Sequence, residues 1–205
     1  MNTIYTIGHS VHEIDYFIEL LKKYDINLVL DVRSSPYSKY APQFNKKNIE
    51  EKLEENGIHY NFVGDSFGAR QKNPNLYSKD GIVDFDKVRE SIKFKATFNK
   101  VIDNINNANM VLMCSEKEPI DCHRSILISK AFYREGINIQ HILADGEIET
   151  QKDLENRLLS LYKLPTKTEV TLDFFNKNSD NNKFDHLKQA YTKRNKDIGY
   201  SIISK

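Results

Sequence analysis

Five short apolar runs alternate with segments of helical periodicity, and this alternation constrains the fold more than any other feature of the chain. A chain built this way buries its apolar faces by winding βα units into a mainly parallel sheet covered by helices. Residues 3–7 are β-branched and aromatic and stop at Gly8. Ser10 and Glu13 have capping-box spacing, followed by Ile14, Phe17, Ile18 and Leu21 on one helical face. Residues 28–33 read as a second strand broken by Pro36, and Asn45 starts a helix carrying Ile49 and Leu53 that Gly57 ends. Ile58, Tyr60 and Phe62 alternate as a third strand. A long connection over 64–83 precedes one helix from about 84 to 104. Residues 110–113 are continuously apolar, as a central strand buried on both faces requires. Asp121 is placed to cap the next helix, and Ile137, Ile139 and Ile142 mark a fifth strand.

The expected fold is one α/β domain over residues 1–162, with a mainly parallel five-stranded sheet and helices on both faces in a Rossmann-like three-layer arrangement. Strand one or strand four should be central. Residues 163–205, rich in Lys and Asn, form a C-terminal extension that is partly ordered or docked.

Lys plus Arg number 30 and Asp plus Glu 29, a net charge of +1, so nothing draws the whole molecule to nucleic acid or an anionic membrane. Anion binding must come from local placement. Two cysteines do not indicate a disulfide scaffold, and no apolar run approaches the ~20 residues of a membrane span. Without a signal segment either, the expected location is the cytoplasm.

Three strand exits carry polar clusters: Gly8-His9-Ser10; Asp31-Val32-Arg33-Ser34-Ser35-Pro36-Tyr37-Ser38; and Cys114-Ser115-Glu116 followed by Asp121-Cys122-His123-Arg124-Ser125. A parallel sheet puts all its strand carboxyl ends on one edge, where ligands of open α/β sheets bind. With Asp121 as N-cap, Cys122, His123 and Arg124 fill a first helical turn, where free backbone N–H groups favour an anion and a thiolate. Arg124 then grips phosphate or carboxylate; alternatively Cys122 only packs and Arg124 pairs with Glu116 or Glu118. Arg33 binds substrate while Asp31 orients it or acts as a base, or the two form a structural ion pair. His9 is a candidate acid or base, or a hydrogen-bonded structural residue. Cys114, at a strand end, reads as a buried apolar residue. Cys114, Glu116, Cys122, His123 and His9 include zinc-ligand types, but no Cys-x-x-Cys occurs; no cofactor is expected, and zinc is the alternative.

These same motifs, with Phe44-Asn45-Lys46, resemble the domain of unknown function 488 family over about residues 3–146. The resemblance implies a compact α/β domain and no settled reaction. It maps the family's motif residues onto His9, Ser10, Asp31, Arg33, Ser34, Ser38, Cys114, Glu116, Cys122, His123 and Arg124. The family's Leu-Gly-Gly-like segment is here Gly64-Asp65-Ser66-Phe67-Gly68.

The functional expectation is an enzyme acting on a phosphorylated, nucleotide or nucleic-acid substrate. His9, Asp31, Glu116 and Cys122 would do the chemistry, and Ser10, Arg33, Ser34, Ser38, His123 and Arg124 would hold the substrate. The alternative is a non-catalytic nucleotide or nucleic-acid binding module, with Lys46, Lys47, Arg70 and Lys72 tracking phosphates and Tyr37 and Tyr40 stacking on bases. A thiol redox or metal protein is the third option. The expected partner is an anionic small molecule or nucleic acid, with no membrane.

Overall fold

The computed structural model describes residues 2–165 and 179–203. The strands are β1 (Thr3–Gly8), β2 (Leu28–Asp31), β3 (His59–Phe62), β4 (Met110–Cys114), β5 (Asn138–Ile142) and β6 (Ile148–Thr150). They form one sheet in the order β3-β2-β4-β1-β5-β6. All pairs are parallel except β5 with β6. The sixth strand was not anticipated, because its three residues follow the Asp145-Gly146 turn too closely to show periodicity. Strands β1 and β4 are central, and β4 is buried along its whole length, as its unbroken apolar run demands.

Helices α1 (Ile14–Lys23) and α2 (Lys46–Glu55) cover one face, burying Phe17, Ile18, Leu21, Ile49 and Leu53 against Val29, Val111 and Met113. The opposite face packs on α3 (Gly64–Phe67), α4 (Phe85–Glu90), α5 (Ile92–Asp103), α6 (Lys130–Arg134) and α7 (Gln151–Leu161). Helix α8 (Ser179–Ile198) docks on α7 and on the π-helical turn Arg124–Ser129 that precedes α6. The C-terminal extension is thus docked where it is described; the Lys/Asn-rich stretch 166–178 lies outside the described residues.

Three local expectations are corrected. Ser10 does not cap α1: it has φ 47°, and the helix begins after Glu13. The chain needs residues 9–12 to turn off the sheet edge before it can wind. The expected helix over 84–104 is two, because Ser91 is extended and its hydroxyl caps α5 by accepting from Phe94 N. Asp121 does not cap a helix either. It ends the 3-10 turn Pro119–Asp121, and its carboxylate meets Arg194 of α8.

A buried hydrogen-bond chain ties the sheet to α8. Thr6 Oγ1 lies 2.8 Å from His141 Nδ1, and His141 Nε2 lies 2.9 Å from Gln151 Oε1. Gln151 Nε2 donates to Tyr191 Oη, which donates to Glu155. Since Gln151 Oε1 can only accept, the proton of His141 is on Nε2 and Thr6 donates to Nδ1.

Candidate functional site

Strand order fixes where the site lies. The chain leaves β1 toward β2 on one side, and leaves β4 toward β5 on the other. Adjacent strands whose connections depart in opposite directions open a crevice at their carboxyl ends. The β1–β4 ladder runs on into this crevice: His9 N donates to Cys114 O at 2.9 Å and Ser10 N to Ser115 O at 3.0 Å. Gly8 permits the approach, since a Cβ there would sit 1.9 Å from the Glu116 carbonyl oxygen. The left-handed Ser10 then turns the chain away.

The crevice is a cleft of about 460 Å³. His9, Ser10, Arg33, Ser34, Ser38, Cys114, Glu116 and His123 line it, so residues over a hundred positions apart meet there. Asp31, Cys122 and Arg124 are not on its wall.

One half is built on a buried charge pair. Arg33 Nε donates to Asp31 Oδ1 at 2.9 Å, and its Nη2 donates to Oδ2 at 2.6 Å. Arg33 N and Tyr60 Oη also donate to that carboxylate. Asp31 is fully buried and its acceptors are engaged, so it orients Arg33 and is not placed to act as a base. Burial opposes the Arg33 cation, but Asp31 more than offsets this and its pKa rises. Arg33 Nη1 lies 3.0 Å from His9 Nε2, and His9 Nδ1 lies 2.9 Å from Ser10 O. A guanidinium only donates and a carbonyl only accepts, so His9 is neutral with its proton on Nδ1. Burial, then the Arg33 charge, lower its pKa to about 4. Phe44 stacks on the ring at 4.3 Å between centroids.

The other half gathers Cys114, Glu116, Cys122 and His123, whose ligand-type atoms all lie within 4.8 Å of one another. Both thiols donate to Glu116 Oε2, at 2.8 and 2.9 Å. Burial would raise Glu116, but His123 and the two S–H groups hold it at about 2. Of the two sulfurs Cys122 is the more acidic. Burial raises it, but Cys114 and Arg124 outweigh burial and bring it to about 6; burial and the neighbouring sulfur push Cys114 well up. These four are the residues that could hold a metal.

Several expected roles are corrected. Arg124 is fully buried, and its guanidinium donates to the Glu116 carbonyl at 2.6 Å and the Lys117 carbonyl at 3.1 Å. It holds the loop between Ser115 and Cys122 and does not reach an anion in the cleft. Cys122 is extended and 1% exposed, tucked beneath that loop, so it is not presented as a nucleophile. His123 lies 3.1 Å from Val32 O through Nε2 and faces the sulfurs through Nδ1, leaving neither nitrogen for substrate. Ser34 Oγ accepts from Arg70 N, and Ser38 Oγ accepts from Tyr40 N and Ala41 N. Both line the cleft while organising its loops.

Tyr60 and Tyr200 were missed. Tyr60 looks like an ordinary strand residue until pairing sets its hydroxyl on Asp31. Tyr200 reaches the cleft from beyond α8, beneath Arg70 at 4.9 Å, and no local signal predicts that. Tyr37 and Tyr40 stand on the rim, 69% and 92% exposed. A larger hollow of about 1220 Å³ shares only Ser34 and Arg70 with the cleft, and carries the ion pairs Lys72–Asp65, Arg89–Asp86 and Lys95–Glu90. Among the described residues no helix is long and apolar enough to cross a membrane.

No curated protein and no solved structure matches the chain. A family model does, over residues 13–131; the Thr6–Ser10 motif falls just outside this span, while the clusters at β2 and β4 fall within it. With more than half its length matched and the α/β architecture the motifs imply, the chain belongs to the family described as domain of unknown function DUF488.

Proposed function

We propose that this chain is an enzyme acting on a phosphorylated, nucleotide or nucleic-acid substrate whose anionic group enters the cleft at the carboxyl ends of β1, β2 and β4. The observation that carries the reading is Arg33. It is a buried cation on the cleft wall, locked by Asp31, and three of its five N–H bonds are taken by Asp31 and His9. The other two have no partner among the described residues. A fixed guanidinium with free donors suits a phosphate or carboxylate oxygen better than a flexible lysine does. His9 Nε2 is the neighbouring proton acceptor, freed when the anion draws Nη1 to itself. The two free cysteines fit a reducing compartment, the cytoplasm.

Inorganic phosphate, a phosphomonoester, a mononucleotide and a short oligonucleotide would be titrated into the protein by calorimetry. Arg33→Lys keeps the charge and loses the fork. A charge-assisted hydrogen bond contributes about 1.5–3 kcal/mol, so affinity for the anion that binds should fall at least about tenfold. Failure of the native chain to bind any of the four, or equal binding by a folded Arg33→Lys, defeats the proposal.

The exposed Tyr37 and Tyr40 favour a second reading, a binding module that stacks bases on the rim without turnover. It expects oligonucleotide affinity that falls steeply with salt and drops on Tyr37→Ala and Tyr40→Ala, with no product formed.

A further inference from the structure

We propose that Cys114, Glu116, Cys122 and His123 form a zinc site at the floor of the cleft. The inference does not rest on the anion reading. Cys114 Sγ and Cys122 Sγ lie 3.6 and 3.9 Å from His123 Nδ1. Zinc with Zn–S near 2.3 Å and Zn–N near 2.0–2.1 Å in tetrahedral geometry has S···N edges of about 3.6 Å. Both sulfurs therefore already stand close to the tetrahedral spacing from the imidazole nitrogen, and all four ligand atoms lie within 4.8 Å of one another.

The imidazole is prepared in the way metal-bound histidines are. His123 Nε2 donates to the Val32 carbonyl at 3.1 Å, so it is Nδ1 that faces the sulfurs and would present its lone pair once deprotonated. Val32 belongs to the β2 exit, so a distant strand fixes the tautomer. Arg124 N lies 3.4 Å from Cys122 Sγ, a backbone donor that favours thiolate over thiol. Both sulfurs are 1% exposed and His123 is 8% exposed, so these three donors are shielded from solvent.

Glu116 supplies the fourth position. Its oxygen now sits 2.8 and 2.9 Å from the sulfurs, closer than the roughly 3.5 Å edge that zinc would impose. The side chain stands at the cleft edge and has room to withdraw. Two sulfurs and one imidazole held from behind, with a replaceable carboxylate in front, resemble catalytic more than structural zinc sites. Binding would release to solvent the protons still held by the two sulfurs and by His123 as these donors coordinate.

The test uses the full chain, kept reduced and stripped of metal with a chelator. Zn²⁺ is titrated against a chromophoric competitor, and Co²⁺ is added in parallel for its spectrum. Expected are one Zn²⁺ per chain, protection of both thiols from alkylation, and cobalt showing tetrahedral d–d bands with a sulfur-to-metal charge-transfer band. Cys114→Ser with Cys122→Ser should abolish the charge-transfer band. Glu116→Gln, which leaves the buried donors in place and should fold as the parent does, should weaken Zn²⁺ at least about tenfold. Absence of stoichiometric zinc in the reduced native chain, an octahedral cobalt spectrum, or a Cys114–Cys122 disulfide that forms equally with and without Zn²⁺ would overturn the assignment.

Discussion

His141 should make this protein acid-sensitive by an amount the structure sets. Its ring is fully buried between Thr6 and Gln151, in a position that accommodates only the neutral form. Burial, then the Arg124 charge, lower its pKa from 6.5 to about 3. In the unfolded chain the ring takes up a proton once the pH drops below about 6.5, whereas in the folded state it does so only near 3. The unfolded state therefore binds one more proton across that window, and stability falls as the pH falls. At 1.36 kcal/mol per pH unit, the full span of about 3.5 units corresponds to roughly 5 kcal/mol, a large share of a typical domain's 5–15 kcal/mol. His141→Gln is the informative variant, because glutamine also offers an acceptor to Thr6 and a donor to Gln151 but does not titrate. Urea unfolding followed by circular dichroism at several pH values between 4 and 6 gives the stability slope of each protein. The slope of His141→Gln should be shallower by about 1.4 kcal/mol per unit. His9, also depressed, contributes to both proteins and cancels in the difference. Parallel slopes, or imidazole nitrogen shifts showing a protonated His141 at pH 5 in the folded parent, would refute the argument.

Other consequences follow from single contacts. Gly8→Ala places a methyl 1.9 Å from the Glu116 carbonyl and should cost about 1–3 kcal/mol in urea unfolding, loosening the loop that carries Glu116. Asp31→Asn leaves the buried Arg33 without its counter-charge and should cost about 3–5 kcal/mol, against about 1 kcal/mol for Tyr60→Phe; equal losses would mean the ion pair is not what holds the site. Tyr191→Phe removes the acceptor of Gln151 in the chain between sheet and α8, and a loss of about 1–3 kcal/mol should appear in thermal unfolding.

Much of the fold was legible because burial leaves a period in the sequence. The apolar run 110–113 could only be a central strand, and Phe17 with Leu21 could only face a sheet. The polar strand exits also pointed to the edge where the cleft lies, since parallel strands share a direction. Local signals misled where a longer-range partner competed. Asp121 has the residue type of a cap but meets Arg194, some seventy positions away. Asn45 precedes α2 as expected, yet its side chain accepts from Ser38 N and braces the loop.

The sequence by itself determined the alternation of strands and helices and which edge of the sheet would gather the polar residues of the strand exits, because periodicity and strand direction are local properties. Only the tertiary structure decided which of those residues face solvent. Arg33 and Arg124 both lie in polar clusters that follow strands, Arg33 two residues past β2 and Arg124 ten residues past β4. Packing turned one toward the cleft with donors to spare and set both terminal nitrogens of the other on the carbonyls of its own loop, its Nε buried without a hydrogen-bond partner among the described residues. That choice depends on what lies across the gap in three dimensions, which residue order does not encode locally.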